Sequence, residues 1–271
     1  MAYIDTHCHA SPHWYEPVES LLAQMDRHHI EKAVLVQLNG QYNNTYQFEC
    51  VARYPDRLAS VALVDATQPD APAQLARLAE QGAQGVRLAA NMRSPGDDPL
   101  AIWRQAQTLG MSVSCSGGAD LFAEPAFAEL AAAVPDLPII IEHMASLKAK
   151  PGELPPAHLC DRIFELARYP NLYMKIHGLG EICTRNMPIT EPFPFDRTGI
   201  ELLRRAYAAF GADRLMWGSD YPPVSGREGY GNALQLTMAE LADCSPAEHA
   251  QIFGGVAAQV YGLQGSGSSA Q

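Results

Sequence analysis

Several features are missing from this chain of 271 residues, and each absence narrows what it does. No apolar run approaches the roughly 18–20 residues that a membrane-spanning helix needs, so no membrane partner is expected. The opening Met-Ala-Tyr-Ile-Asp has no basic region and enters a strand pattern at once, so it is not read as a secretory signal. Cations are scarce. Lys and Arg total 19 against 30 Asp and Glu, a formal net charge of −11. Binding a phosphate backbone needs clustered Lys and Arg, so the balance argues against nucleic acid. It does not exclude an anionic small molecule, because a few local cations dominate the field inside a pocket. The six cysteines, Cys8, Cys50, Cys115, Cys160, Cys183 and Cys244, form no CxxC pair. They are expected as free thiols in a reducing cytoplasm. Also absent is the Gly-rich phosphate loop that would follow the first strand of a dinucleotide-binding fold. His7-Cys8-His9 stands there instead.

What is present is a regular alternation. Eight short apolar runs are read as buried parallel strands: Ala2–Asp5, Ala33–Leu38, Leu58–Val64, Gly85–Ala90, Met111–Cys115, Pro138–Glu142, Leu172–Ile176 and Arg214–Gly218. Between them lie segments of helical spacing, among them Pro17–His29, Ala71–Glu80, Leu100–Leu109 and Ile200–Phe210. Eight such repeats predict an α/β protein, a single-domain (β/α)8 TIM barrel, which typically needs about 250 residues. The barrel is placed at residues 1–264, and the low-complexity run 265–271 (GSGSSAQ) is expected to be a disordered tail. Two long loops stand out, 143–156 with Lys148 and Lys150, and 177–196, rich in Pro and Thr. A loop of that length is a candidate lid.

The chemistry concentrates at strand ends. His7 and His9 end the first strand, two residues apart, and so share a face. Two imidazoles so placed converge on one ion or cradle a polar substrate. Asp220 ends the eighth strand, which neighbours the first when a barrel closes. His143 follows strand six and His177 follows strand seven. The carboxyl-terminal mouth is where barrel enzymes keep their chemistry. Asp220 is therefore expected to act as general base, with His143 as its catalytic partner. Arg87 on strand four and Lys175 on strand seven are candidate substrate contacts, since an inward cation needs an anion. An internal ion pair is the competing reading for Arg87. His177, Tyr221 and the loop residue Arg227 complete the candidate substrate-binding set.

These pieces together resemble the amidohydrolase superfamily, in its amidohydrolase 2 branch. That branch includes sugar-acid lactonases, 2-pyrone-4,6-dicarboxylate lactonase and related decarboxylases. The matching stretches are DTHCH at 5–9, GVRLAA at 85–90, IIIEHMA at 139–145, NLYMKIHGL at 171–179, RLMWGSDYP at 214–222 and IFGGVAAQVY at 252–261. The resemblance implies a cytoplasmic hydrolase that opens a carboxylate-bearing lactone or similar cyclic ester by water attack. Its alternatives are a metal-dependent non-oxidative decarboxylase of an aromatic or dienoic acid, and a non-catalytic binding barrel.

The chain also departs from that pattern. Metal-binding relatives usually carry another ligand on strand five, where this chain reads Ser112-Val113-Ser114-Cys115-Ser116. No bridging Lys or Glu ends strand four. This leaves His7, His9 and Asp220 for at most one divalent ion, zinc or manganese, and leaves metal-independent catalysis open. His177 stands where relatives carry a small residue, and Val256 where they carry Asn. The expected partner is a small molecule, anionic in character. A homo-oligomer is left open.

Overall fold

The computed structural model describes residues 2–263. The tail expected at 265–271 lies outside the described residues. Eight strands run in sequence order, each parallel to the next: β1 Tyr3–Cys8, β2 Ile30–Val36, β3 Leu58–Leu63, β4 Gly85–Ala89, β5 Ser112–Ser116, β6 Ile139–Ile141, β7 Leu172–Ile176 and β8 Leu215–Trp217. Parallel neighbours need crossovers, and the amphipathic segments supply them as helices, among them Val18–Arg27, Ala71–Glu80, Ala101–Thr108 and Ile200–Phe210. The predicted barrel and its strand order are therefore correct. Strand boundaries shift by up to three residues, and one shift bears on the site. The first strand continues to Cys8, so His7 lies within it rather than beyond it. The loop after β7 is not structureless, since Leu179–Ile182 is a helical turn.

The ring closes between β1 and β8. Cys8 and Tyr221 form a parallel bridge, Asp220 N donates to His7 O at 2.7 Å, and His9 N donates to Tyr221 O at 2.8 Å. Asp5 is fully buried at this seam. Its carboxylate accepts from Ser219 N at 2.8 Å, Ser219 Oγ at 2.6 Å, Tyr230 Oη at 2.9 Å and His7 N at 3.1 Å. Gly218 allows the approach. A Cβ there would stand 2.7 Å from His7 Cβ and 2.9 Å from its amide nitrogen.

Two apolar layers support the ring. The larger packs helices on strands and includes Leu21, Leu75, Trp103, Phe127 and Leu203. The smaller gathers Ile4, Val34, Val61, Ile140 and Met216 with Val256 and Tyr261 of the last helical segment. Val256, at the position of the usual Asn, is thus a packing residue.

The barrel also buries charge. Arg87 on β4 donates to Glu142, just after β6, through Nη2 at 2.7 Å and Nε at 3.1 Å. Ser114 Oγ on β5 donates to Glu142 at 2.7 Å and accepts from Lys175 Nζ on β7 at 2.9 Å. Burial works against the charge on Glu142, but Arg87 and Lys175 outweigh it and hold the carboxyl well below its ordinary range. A carboxyl depressed by folding stabilises the protein fully above the ordinary glutamate range. That contribution is lost as pH falls toward the depressed value. Removing one member of a buried pair strands the other, at a cost of about 3–5 kcal/mol. Arg87→Met is therefore expected to lower stability by about that much in urea unfolding at neutral pH. A loss below about 1 kcal/mol would show that Glu142 does not depend on Arg87.

Candidate active site

The residues expected at the mouth meet there. His9 Nε2 lies 3.6 Å and His7 Nε2 4.0 Å from Asp220 Oδ1. The His7 ring is 4.7 Å from that of His143 and 5.2 Å from that of His177. His143 and His177 stack at 4.2 Å with their planes 15° apart.

Local backbone sets these directions. Residues 143–146 all adopt left-handed dihedrals, with φ of 51°, 49°, 58° and 58°. Asp220 does so as well, at φ 59°. None is glycine, so each conformation is held against its intrinsic cost, as happens where a site orients side chains. The turn at 143–146 swings the chain off β6 so that His143 faces the other strand ends. The turn at Asp220 is held by the hydrogen bond its amide N–H donates to His7 O.

The orientation of each imidazole has a cause. His9 Nδ1 lies 2.7 Å from Val36 O, so it carries the hydrogen and leaves Nε2 facing Asp220. His7 Nδ1 shares a 3.3 Å hydrogen bond with Lys175 Nζ, which leaves its Nε2 facing the mouth. Behind His143, Glu181 places an oxygen 3.7 Å from Nδ1. Arg227 Nη1 bridges Glu181 and Asp220 Oδ2, the latter at 2.9 Å. Among the described residues, the buried side-chain atoms without a hydrogen-bond partner include His7 Nε2, both ring nitrogens of His177, and Nε with Nη2 of Arg227; Trp217 Nε1, Glu228 Oε2 and Tyr261 Oη are the others. Buried polar atoms are ordinarily bonded, so open donors and acceptors converging on one mouth mark a place for a ligand.

Electrostatics divides the histidines. Burial, with Lys175 and the neighbouring imidazoles, lowers His7 well below its ordinary value. Burial and His143 do the same to His177. Burial also pulls on His143, but Glu181, Glu142 and Asp220 outweigh it and raise that group. Asp220 is held below the usual carboxylate range. Its burial is overcome by the contact with His9 and the charges of His143, His177 and His9. The same burial pushes Lys175 down to about 8, with Glu142 opposing the fall.

Three candidate substrate contacts are placed elsewhere. Arg87 already has its anion in Glu142, so the internal pair replaces the expected contact with substrate. Tyr221 is 5% exposed, and its ring packs edge-on to Tyr230 at 5.8 Å, inside the seam rather than at the mouth. Lys175 is fully buried and touches His7, so its place is behind the site. His177 and Arg227 do line the mouth. Sequence reasoning missed Glu142 and Glu181. Glu142 adjoins His143, but only the fold shows it facing Arg87. Glu181 lies in the loop read as a lid, and its short helical turn carries no motif.

Comparison with known proteins agrees with this architecture. The amidohydrolase family model matches residues 4–263. L-fucono-1,5-lactonase of Burkholderia ambifaria is 28% identical over 261 residues, covering 91% of this chain and 84% of that protein. 4-Sulfomuconolactone hydrolase of Rhizobium radiobacter is 28% identical over 214 residues, 76% of this chain and 66% of that protein. A zinc-bound amidohydrolase structure from Burkholderia multivorans superposes with a TM-score of 0.77 at 21% identity, covering 97% of this chain and all of that one. The family model takes in every strand of the barrel, and the chain therefore belongs to the amidohydrolase family.

Proposed function

We propose that this protein hydrolyses a lactone that carries an acidic group. The observation that carries the reading is Asp220, an ionised carboxylate whose Oδ1 faces two imidazole nitrogens while Arg227 holds Oδ2. Lactone hydrolysis needs a base for water, a positive environment for the carbonyl oxygen and a proton for the departing ring oxygen. Asp220 takes the proton as water adds to the carbonyl. His7, His9 and His143 surround the position where negative charge develops. When the ring C–O bond breaks, the alkoxide takes its proton back from Asp220. The two named relatives act on lactones, and they support the choice of bond.

The donor set fits a divalent ion. His7 Nε2 has no partner, and the donor atoms of His7, His9 and Asp220 all lie within 4.8 Å of one another. Ligands about 2.1 Å from a tetrahedral ion stand about 3.4 Å apart, close to the spacings to Asp220 Oδ1. These residues would hold one zinc or manganese ion, which would supply Lewis acidity toward the carbonyl.

The acidic group is read from Arg227. Its Nη2 is buried without a hydrogen-bond partner, while its Nε faces Glu228 Oε2 at 3.6 Å. A cavity of about 210 Å³ next to it is also lined by Lys148 and Arg185. Lys148, Arg185 and Arg227 gather three cations around this cavity, which suits a carboxylate, with Arg227 also paired to Glu181, Asp220 and Glu228.

Two experiments test these roles. Asp220→Asn keeps the side-chain volume and removes the base, and kcat should fall by roughly two to four orders of magnitude on a lactone panel. Turnover close to wild type would remove Asp220 from the mechanism. Benzoate-type acids belong in the same panel, since release of carbon dioxide without lactone opening would replace hydrolysis by decarboxylation. For Arg227→Gln, KM for a lactone acid should rise by about tenfold or more, as expected for a lost charge-assisted contact. KM for the methyl ester should change little. Equal effects on acid and ester would show that Arg227 serves Asp220 and Glu181 instead of the substrate.

A further inference from the structure

Glu228 is a buried carboxyl with no step of its own in lactone opening. It follows Arg227 in the loop after β8, and its side chain is 1% exposed. One oxygen, Oε1, accepts from Gly180 N at 3.3 Å. The other, Oε2, has no hydrogen-bond partner among the described residues and lies 3.6 Å from Arg227 Nε. Burial pushes this carboxyl above its ordinary range, with Arg227 opposing the rise. An apolar side chain would fill the same space without that cost, so the group is retained for the contacts it makes. Those contacts cross from one loop to another. The helical turn Leu179–Ile182 after β7 has no side-chain cap of its own, and Glu228 accepts from an amide in that turn instead. Two glycines make room for it. A Cβ at Gly178 or at Gly180 would overlap a carboxylate oxygen of Glu228.

We infer that Glu228 is a positioning residue, which clasps the turn after β7 to the loop after β8 and so sets Glu181 behind His143 and Arg227 beside Asp220. The clasp has two points. Glu228 holds the amide of Gly180, and the adjacent Arg227 holds the side chain of Glu181, the next residue along that turn. Paired contacts between two consecutive residues on each side fix the angle between the loops as well as their distance. A single ion pair would leave the turn free to pivot. The placement matters because Glu181 stands 3.7 Å from His143 Nδ1, and Arg227 Nη1 stands 2.9 Å from Asp220 Oδ2. A misplacement of about 1 Å in such groups can cost roughly 10²-fold in rate. Glu228 therefore acts through Glu181 and Arg227 rather than on the substrate. The inference rests on the hydrolase reading for its catalytic meaning, but one arm of its test reads the clasp without activity.

The test uses the full chain with Glu228→Ala, Glu228→Gln and Gly180→Ala. Glu228→Gln keeps the length of the side chain and an acceptor for Gly180 N. Gly180→Ala evicts the carboxyl while leaving Glu228 in the sequence. The nearest atoms its Cβ would meet belong to the side chains of Glu228 and Arg227, so it carries the test should Glu228→Ala not fold. Hydrogen exchange at the amide of residue 180 reads the clasp alone. It should quicken by about tenfold or more in Glu228→Ala and Gly180→Ala, and stay near wild type in Glu228→Gln. Lactone turnover reads the consequence. In the same two variants kcat should fall by about tenfold or more, with Glu228→Gln again close to wild type. Once Glu181→Gln is in place, adding Glu228→Ala should cost less than about twofold further, because residues of one network are not additive. Unchanged exchange would overturn the clasp. Faster exchange with unchanged kcat, Glu228→Gln as impaired as Glu228→Ala, or fully additive losses in the double variant would overturn the positioning role. A wild type that opens no lactone would remove the hydrolase reading, and exchange alone would then decide the clasp.

Discussion

Asp5 accepts hydrogen bonds from both sides of the line where the barrel closes, and the site depends on that closure. Its carboxylate gathers the amide of His7 from the first strand and the amide and hydroxyl of Ser219 from just beyond the eighth. The backbone bonds of the seam run through His7, His9, Asp220 and Tyr221 themselves. The residues that carry the chemistry are thus the residues that shut the ring. Burial alone would raise the pKa of Asp5, and it does so here against four donors. A carboxyl retained in that position serves register, since a one-residue slip of β1 would turn His7 and His9 away from the mouth.

A second buried network runs across the interior beneath the histidines. Arg87, Glu142, Ser114 and Lys175 come from four neighbouring strand positions and end on His7 Nδ1. Because every member has a partner, the chain tolerates charge where a barrel interior ordinarily takes branched apolar side chains. The effect on the site is directional. Lys175 occupies one nitrogen of His7 and leaves the other for the mouth, while Glu142 contributes negative charge close to His143. Arg227 and Glu181 do corresponding work from the solvent side. The mouth is therefore lined by imidazoles held between two ion networks, one deep and one at the rim.

Much of this was legible in the sequence, for physical reasons that differ by feature. Strand and helix periods are local, and eight alternations identify the barrel because few architectures bury eight parallel strands. His7, His9, His143, His177 and Asp220 were legible because each sits at or near a strand's carboxyl end, and the topology sends all such ends to one face. Arg87 was read correctly as an inward cation in need of an anion, but its partner was not. Glu142 is 55 residues away, and only the register of β4, β5 and β6 brings the two together. Tyr221 looked like a neighbour of the site because it adjoins Asp220. Its ring packs against Tyr230, while the Asp220 carboxylate faces His7 and His9.

Hydrophobic period, which acts over a few residues at a time, determined the barrel, and the His and Asp residues at strand ends marked most of its mouth. Tertiary structure alone decided which of those residues touch, because hydrogen bonds and ion pairs depend on distances of a few ångströms between segments far apart in the chain. It paired Arg87 with Glu142, set Glu181 behind His143, tied Arg227 to Asp220 and left His177 buried without a partner.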